Sequence, residues 1–205
     1  VISGAAGASL STGPIVILGL ASLIADGISM GLSNYLAITS KLDFQKQERL
    51  REIFEIENFP EKERDEVREI LAKWKVPESK IDDMVDILTA NKDSGVDLMM
   101  REELGIFEDK VESPVRHGII TSISFFIAGS LPLLPYIFGI KVGSPFAFSL
   151  MTTAISLFVV GGARTIVTGS NWLKSAIQML IVGGLAAFAA YLVGGIVKNI
   201  FGIVV

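Results

Sequence analysis

The sequence contains no cysteine, a single histidine, and almost no acidic residues outside one stretch. Without cysteine, the chain has no disulfides, no thiolate metal sites and no cysteine nucleophile. The single histidine, His117, rules out a His-rich metal site, and the Glu-x-x-His pattern of dinuclear iron proteins is absent from the sequence. The sequence shows no catalytic constellation, and we predict that the protein is not an enzyme.

The acidic residues are confined to one part of the chain. Twenty-one of the 22 Asp and Glu lie between Asp43 and Glu112, and none follows Ser113. Residues 41–112 carry only 13 Lys and Arg against these 21 acids, a balance that argues against a nucleic-acid partner. The flanking sequence is almost uninterruptedly apolar, and an unpaired charge in hydrocarbon is costly. The partition predicts a membrane body joined to a water-exposed acidic domain.

Four apolar runs are long enough to cross a bilayer, which takes about 20 residues. The runs are Pro14–Ile38, Val115–Gly139, Ser144–Gly162 and Ser175–Val197. The opening segment Val1–Leu10 is also apolar, but it is half a span and lacks the basic start of a secretory signal. We therefore interpret it as the end of a truncated first helix. The predicted fold is an all-α membrane protein with five transmembrane helices, the first incomplete.

The distribution of Lys and Arg predicts the orientation in the membrane. Residues 41–116 carry 14 basic residues, and connections rich in Lys and Arg stay on the cytoplasmic side. We predict three parts: residues 1–40 with transmembrane helices 1 (partial) and 2, residues 41–112 as a cytosolic acidic helical domain, and residues 113–205 with transmembrane helices 3–5. The acidic domain is thus predicted to be inserted between the second and third helices.

Acidic residues of the predicted cytosolic helices occur at spacings that place them on shared faces. Glutamates three residues apart, or a methionine and a glutamate four apart, face the same way on a helix. The pairs are Glu52 with Glu55, Glu63 with Glu66, and Met99 with Glu103. If the three faces converge, they form a nest of carboxylate oxygens with one thioether. Oxygen alone suits Ca²⁺ or Mg²⁺, whereas the sulfur favours softer first-row ions such as Fe²⁺.

An alternative interpretation is that these faces are ordinary solvated surface. Acidic pairs are common on exposed helices, and basic residues nearby are available to neutralise them. These basic residues are Arg49, Arg51, Lys62, Arg64 and Arg68. Spacing alone leaves both interpretations open.

One carboxylate lies inside an apolar run. Asp26 is followed by Met30 and Asn34 at intervals of four, so the three side chains share one helix face. An oxygen, a sulfur and an amide in register are typical of a cation path, and an ionisable group at membrane depth is usually functional. The alternative is a polar seam that holds helices together by hydrogen bonds.

Three segments carry a family resemblance. The runs GLASLIADGISMGLSNYLAITSK, MMREELGI and SFFIAGSLPLLPYI resemble the vacuolar iron transporter family, in the family's order along essentially the whole chain. The resemblance implies a homodimeric membrane transporter of Fe²⁺, and often Mn²⁺, that exchanges the ion for protons. It implies that Glu52, Glu55, Glu63, Glu66, Met99 and Glu103 bind the metal (Fe²⁺, Mn²⁺ or Zn²⁺), with no prosthetic group.

The same resemblance implies a transport path and a location. The family's second-span methionine falls on Met30, whereas related sequences often carry glutamate where Asn34 stands. An aspartate early in the family's first span precedes Val1 here, which agrees with a truncated first helix. The location implied is the cell membrane for a prokaryotic protein and the vacuolar membrane for a plant or fungal one. The alternative function is a membrane-anchored metal sensor or buffer that binds the ion without translocating it.

Overall fold

In a computed structural model, helices are the only regular secondary structure across residues 1–107, 113–139 and 144–202, the part of the chain that the structure describes. The elements are α1 (Ile2–Gly7), α2 (Thr12–Asn58), α3 (Pro60–Lys73), α4 (Glu78–Thr89), α5 (Lys92–Glu102), α6 (Pro114–Ser130), a 3₁₀ turn (Leu131–Leu133), α7 (Leu134–Ile137), α8 (Pro145–Ala163), α9 (Thr165–Thr168) and α10 (Trp172–Phe201). The predicted all-α class is confirmed.

Four helical segments are long and apolar enough to cross a membrane. They are Thr12–Asn58, Pro114–Ile137, Pro145–Thr168 and Trp172–Phe201, with mean hydropathies of 2.0, 1.6, 1.8 and 2.2 over their most apolar windows. They correspond to the four apolar runs predicted from the sequence, two of which extend one or two residues beyond the helical segment. The opening segment forms α1, which has six residues and is too short to span a bilayer. A fifth span therefore stays a prediction.

Helix α2 joins two elements that the sequence analysis treated separately. It runs unbroken for 47 residues, from the second predicted span into the acidic stretch. No proline occurs between Pro14 and Pro60, and no glycine between Gly31 and Gly95, so nothing in the sequence interrupts the helix. Only the half before Lys41 has the composition of a membrane span. The acidic residues near its C-terminal end therefore lie outside the membrane-spanning segment.

The chain divides into two compact units. The membrane unit comprises Val1–Leu32 and Gly118–Val205, and the charged unit comprises Ser33–His117. The predicted boundaries at residues 40 and 113 stay predictions.

Close helix packing holds the membrane unit together. Helices α8 and α10 approach so tightly at Gly161 that a Cβ atom there would lie 2.7 Å from Cβ of Met179 and 2.9 Å from Cα of Ala176. Such contacts between small residues provide van der Waals attraction where lipid supplies no hydrophobic driving force. The hydroxyl of Ser149 donates a 2.8 Å hydrogen bond to the carbonyl oxygen of Pro132, which satisfies a polar group in an apolar setting.

The charged unit is built on a small apolar core. Val67, Ile70 and Leu71 of α3 pack with Val85 of α4 and Met99 of α5, each at most 5% exposed. Pro60 stands at the first position of α3, where its missing N–H costs nothing. The side chain of Asn91 caps α5 by accepting a 3.1 Å hydrogen bond from the amide of Ser94. These caps and this core fix where the acidic faces of the helices point.

Candidate metal centre

Three helices of the charged unit supply the predicted acidic pairs. Glu52 and Glu55 lie near the C-terminal end of α2, and Glu63 and Glu66 lie in the first two turns of α3. Only Phe59 separates these helices, so the chain reverses its acidic faces within a short distance. Glu103 is the C-cap residue that directly follows α5. We call Glu52, Glu55, Glu63, Glu66 and Glu103 the glutamate nest.

Two members of the nest are buried and have carboxylate oxygens without hydrogen-bond partners among the described residues. Glu52 and Glu63 are 4% and 3% exposed. One carboxylate oxygen of Glu52 and both of Glu63 accept no hydrogen bond within the described ranges. Burial, reinforced by the charge of Glu103, raises the pKa of Glu52 to about 7. Burial, reinforced by the charge of Glu66, raises the pKa of Glu63 to about 7. Since a buried polar group without a partner is costly, the pair is suited to a ligand that supplies positive charge.

The mutual electrostatic effects indicate that the five carboxylates are neighbours. The charges of Glu103, Glu55 and Glu66 all raise the pKa of Glu52. The pKa of Glu103, whose side chain is exposed, is raised by partial desolvation and then by Glu66. These effects place the five carboxylates within electrostatic reach of one another. That the three helix faces converge on one ion stays a prediction.

Glu55 and Glu66 form the outer rim of the nest and are paired with cations. The ammonium of Lys62 lies 3.2 Å from an oxygen of Glu55 and 3.0 Å from an oxygen of Glu66. Arg51 donates a 2.9 Å hydrogen bond to the other oxygen of Glu55. These contacts lower the pKa of Glu55, the hydrogen bond from Arg51 being the largest cause. The second oxygen of Glu66 is buried and has no partner among the described residues.

Three other basic residues near the nest form ion pairs with acids outside it. Arg49 contacts Asp97 at 2.6 Å, Arg64 pairs with Asp86, and Arg68 contacts Asp65 at 2.6 Å and Asp82 at 3.2 Å. Exposed pairs of this kind contribute little to stability. The solvated-surface interpretation thus fits these four acids, but it does not fit the buried Glu52 and Glu63.

The nest is not closed around a metal position in the structure. Across residues 1–107, 113–139 and 144–202, no three acidic or histidine side chains are arranged to hold a metal ion together. Two of the five glutamates instead direct an oxygen to Lys62. Side-chain rearrangement on the rim would be required for the nest to bind a cation.

Met99 occupies two environments at once. It is 1% exposed and packs in the apolar core with Leu71 and Val85. It also lines a cavity of about 220 Å³ to which Glu63 and Ile56 contribute. The sulfur-bearing side chain is thus beside one buried glutamate of the nest. Its role as a ligand stays a prediction, because the core alone accounts for its burial.

The predicted transport-path residues are separate from the glutamate nest. Asp26 and Met30 are exposed on the membrane unit, Met30 at 46%, and Asp26 lines a cavity of about 340 Å³ with Ser22 and Thr153. Asn34 belongs to the charged unit, where its side-chain amide donates a 3.4 Å hydrogen bond to the carbonyl oxygen of His117. Asn34 therefore makes a hydrogen bond of the kind that the polar-seam alternative describes. The side chain of Asp26 is exposed and lines the cavity.

Lys62 contacts the nest more extensively than the sequence predicts. The sequence indicates it only as one of several nearby cations, whereas in the structure Lys62 bridges two members of the nest. The spacing of four between Lys62 and Glu66 predicts one of these contacts. The contact with Glu55 crosses the break between α2 and α3, and no helical spacing rule could have predicted it.

Comparison with known proteins identifies the family. A family model described as the VIT family matches residues 1–195. The vacuolar iron transporter of Plasmodium berghei (strain Anka) is 33% identical over 209 residues, covering 97% of this chain and 76% of the relative. Vacuolar iron transporter 1 of Arabidopsis thaliana is 33% identical over 197 residues, covering 96% and 79%. The relative from Toxoplasma gondii (strain ATCC 50861 / VEG), also a vacuolar iron transporter, is 34% identical and 70% covered. The chain belongs to the VIT family.

Proposed function

We propose that this protein carries Fe²⁺ across a membrane, out of the cytosol, and that the glutamate nest is where the ion first binds. The relatives named vacuolar iron transporters support the cargo, and VIT family proteins are transporters rather than enzymes. Four helices with the length and composition of membrane spans support a multi-pass location. In a plant this would be the vacuolar membrane, and in a prokaryote the cell membrane, with the charged unit on the cytosolic side.

The observation that carries the proposal is the burial of Glu52 and Glu63 with unpaired oxygens. Burial, and then the charges of the other nest glutamates, make these two carboxylates costly to ionise and raise their pKa values to about 7. A divalent cation replaces this repulsion with attraction and supplies the missing partners. Carboxylate oxygens are ligands for Mn²⁺ as well as Fe²⁺, and the neighbouring Met99 would favour the softer ion.

Asp26 and Met30 form the proposed path through the membrane. Both are exposed on the membrane unit of a single chain. An ionisable group facing lipid is costly, so we expect a second copy of the chain to cover this face. The ion would then cross between the two copies, in contact with carboxylate and thioether groups from both. Asn34 would contribute its amide oxygen, because the hydrogen bond to His117 uses the amide nitrogen.

Proton exchange would supply the driving force. Metal ligands must be deprotonated to bind, so Fe²⁺ entering a half-protonated nest releases protons, and protons rebinding promote release of the metal. We therefore expect protons to move in the direction opposite to Fe²⁺ during transport.

The test is Fe²⁺ flux in proteoliposomes that contain the whole chain, under anaerobic conditions with a lumenal iron indicator. We expect saturable uptake and acidification on the side that the metal leaves. The variant Glu52→Gln/Glu63→Gln should lose most of the uptake at low Fe²⁺ concentration. The matched control Glu57→Gln/Glu61→Gln removes two exposed carboxylates from the same two helices and should transport normally.

Other outcomes of this experiment would overturn the proposal. Saturable Fe²⁺ binding without uptake would indicate a membrane-anchored sensor or buffer. Equal uptake by both double variants would mean that the buried glutamates have no part in transport. A separate thermal-unfolding measurement on the same chain that found no stabilisation by Fe²⁺ would assign the acidic faces to solvated surface, because an ion that binds only the folded state must stabilise it.

A further inference from the structure

Lys62 is the only basic side chain within the described ranges that the structure gives as an ion-pair partner of two members of the nest. Its ammonium lies 3.2 Å from Glu55 on α2 and 3.0 Å from Glu66 on α3. Arg51, by comparison, contacts Glu55 alone among the nest residues. The Lys62 side chain is 58% exposed, so its ammonium closes the rim from the solvent side.

Local helix energetics do not favour a lysine at this position. Lys62 is in the first turn of α3, where the helix dipole favours negative rather than positive charge. Its pairing with Glu66 also has the lysine N-terminal to the glutamate, the weaker orientation for residues four apart. The position is therefore stabilised by two acids of the nest, Glu66 on the same helix and Glu55 on the preceding one.

The oxygens of the two rim glutamates that contact Lys62 cannot bind a metal ion at the same time. Glu55 has one oxygen on Arg51 and the other on Lys62, and Glu66 has one oxygen on Lys62. Glu66 has a second, buried oxygen without a partner among the described residues, whereas an ion that engaged Glu55 would need one of its paired oxygens to turn inward. The ammonium would then lose its contact with Glu55 and would lie close to a divalent cation.

We infer that Lys62 is a displaceable counter-ion of the glutamate nest, holding Glu55 and Glu66 until a divalent cation takes its place. This inference rests on the proposed function, because it assumes that the nest binds metal. Displacement explains how the rim glutamates are held in place while the nest is empty. It also favours divalent over monovalent ions, since a single charge gains nothing by replacing an ammonium. The cost of displacement lowers the metal affinity and speeds release of the ion to the transport path.

The test is Mn²⁺ binding to the whole chain in detergent micelles, with free Mn²⁺ quantified by electron paramagnetic resonance. Lys62→Met keeps the length of the side chain and removes its charge. Lys73→Met is the matched control, because Lys73 is an exposed lysine on the same helix, about 16 Å further along its axis and beyond the range of unscreened interaction. Lys62→Arg restores the charge with a two-pronged donor that grips carboxylates more firmly.

We expect Lys62→Met to bind Mn²⁺ about threefold to tenfold more tightly than the wild type, the range expected when two exposed ion pairs no longer compete. The dissociation rate after chelator addition should fall in the same variant. Lys73→Met should match the wild type, and Lys62→Arg should bind no more tightly than the wild type. Equal affinities for Lys62→Met and Lys73→Met would overturn the inference, as would weaker binding by Lys62→Met with its thermal stability intact.

A further variant separates this inference from the proposed function. If Mn²⁺ binds to the wild type and Glu63→Gln abolishes binding, the nest is a metal site, and the Lys62 variants alone decide the inference. If no chain binds Mn²⁺, the nest is not a metal site, and both proposals are overturned. Should Lys62→Met fail to fold, Lys62→Gln provides the same comparison with a polar side chain.

Discussion

Replacing Glu63 by glutamine should stabilise the metal-free protein at alkaline pH. The pKa of Glu63 is raised from 4.5 to about 7, chiefly by burial, so the folded protein retains a proton that the unfolded chain has lost. Its contribution to stability is present below pH 4.5 and is lost as the pH rises through 7. One pKa unit corresponds to about 1.4 kcal/mol, so the loss is on the order of 3 kcal/mol. Glutamine cannot ionise and avoids this loss.

Trp74 provides a local probe of this effect. It follows α3 directly, while the second tryptophan, Trp172, lies in the membrane unit against Phe158 and can be replaced by phenylalanine to keep that aromatic contact. Urea unfolding followed by Trp74 fluorescence in the Trp172→Phe background would be measured at pH 5 and pH 8 without metal. The Glu63→Gln chain should lose about 2–3 kcal/mol less stability between these two pH values than its parent.

The control is Glu61→Gln, which makes the same substitution at an exposed position in the first turn of the same helix. It should lose stability with pH much as its parent does, because removing an exposed acid from the first turn changes stability by only about 0.3–1 kcal/mol. If Glu63→Gln and Glu61→Gln had the same pH dependence, Glu63 would not be an uncompensated buried acid. The main argument for the metal centre would then fail.

Two further substitutions test the sulfur and the packing. Met99→Leu should cost less than about 1.5 kcal/mol, because it conserves volume in the apolar core, yet it should weaken Mn²⁺ binding measured by electron paramagnetic resonance; unchanged binding would remove Met99 from the ligand set. Gly161→Ala should lower the thermal stability of the membrane unit by about 1–3 kcal/mol, since its Cβ would lie 2.9 Å from Cα of Ala176. The adjacent Gly162→Ala places its Cβ 4.0 Å from the Trp172 ring and should unfold at nearly the wild-type temperature in the same calorimetric scan.

The helices could be predicted largely from proline and hydropathy. Pro60 is the first residue of α3 and Pro77 directly precedes α4, and the four apolar runs correspond to four long helical segments. The continuity of α2 was less evident, because the change from apolar to charged sequence near Lys41 suggests a boundary. Composition changes there but helix propensity does not, so the solvent around the helix changes while its hydrogen bonds continue.

The site was predictable in part. Spacing indicates that Glu52 and Glu55 share a face, but it cannot distinguish a buried acid from an exposed one. Glu52 is 4% exposed, whereas Phe54, two residues away and apolar, is 56% exposed. Which face of α2 becomes covered depends on where α3 and α5 pack, and this is a property of the folded unit. The same limit hid the contact between Lys62 and Glu55.

The nest combines two kinds of glutamate, and the combination bears on how binding is coupled to protons. Glu52 and Glu63 have pKa values of about 7, so near neutral pH they are partly protonated and add little charge. Glu55 is ionised but neutralised by Arg51 and Lys62. The empty nest therefore has much less negative charge than five carboxylates imply, which is why it can be partly buried. On the proposed function, a divalent cation would displace protons from Glu52 and Glu63 and the ammonium of Lys62 from the rim. We accordingly expect the number of protons released per bound cation to rise as the pH falls through 7 and to vanish well above pH 7, where Glu52 and Glu63 are already ionised.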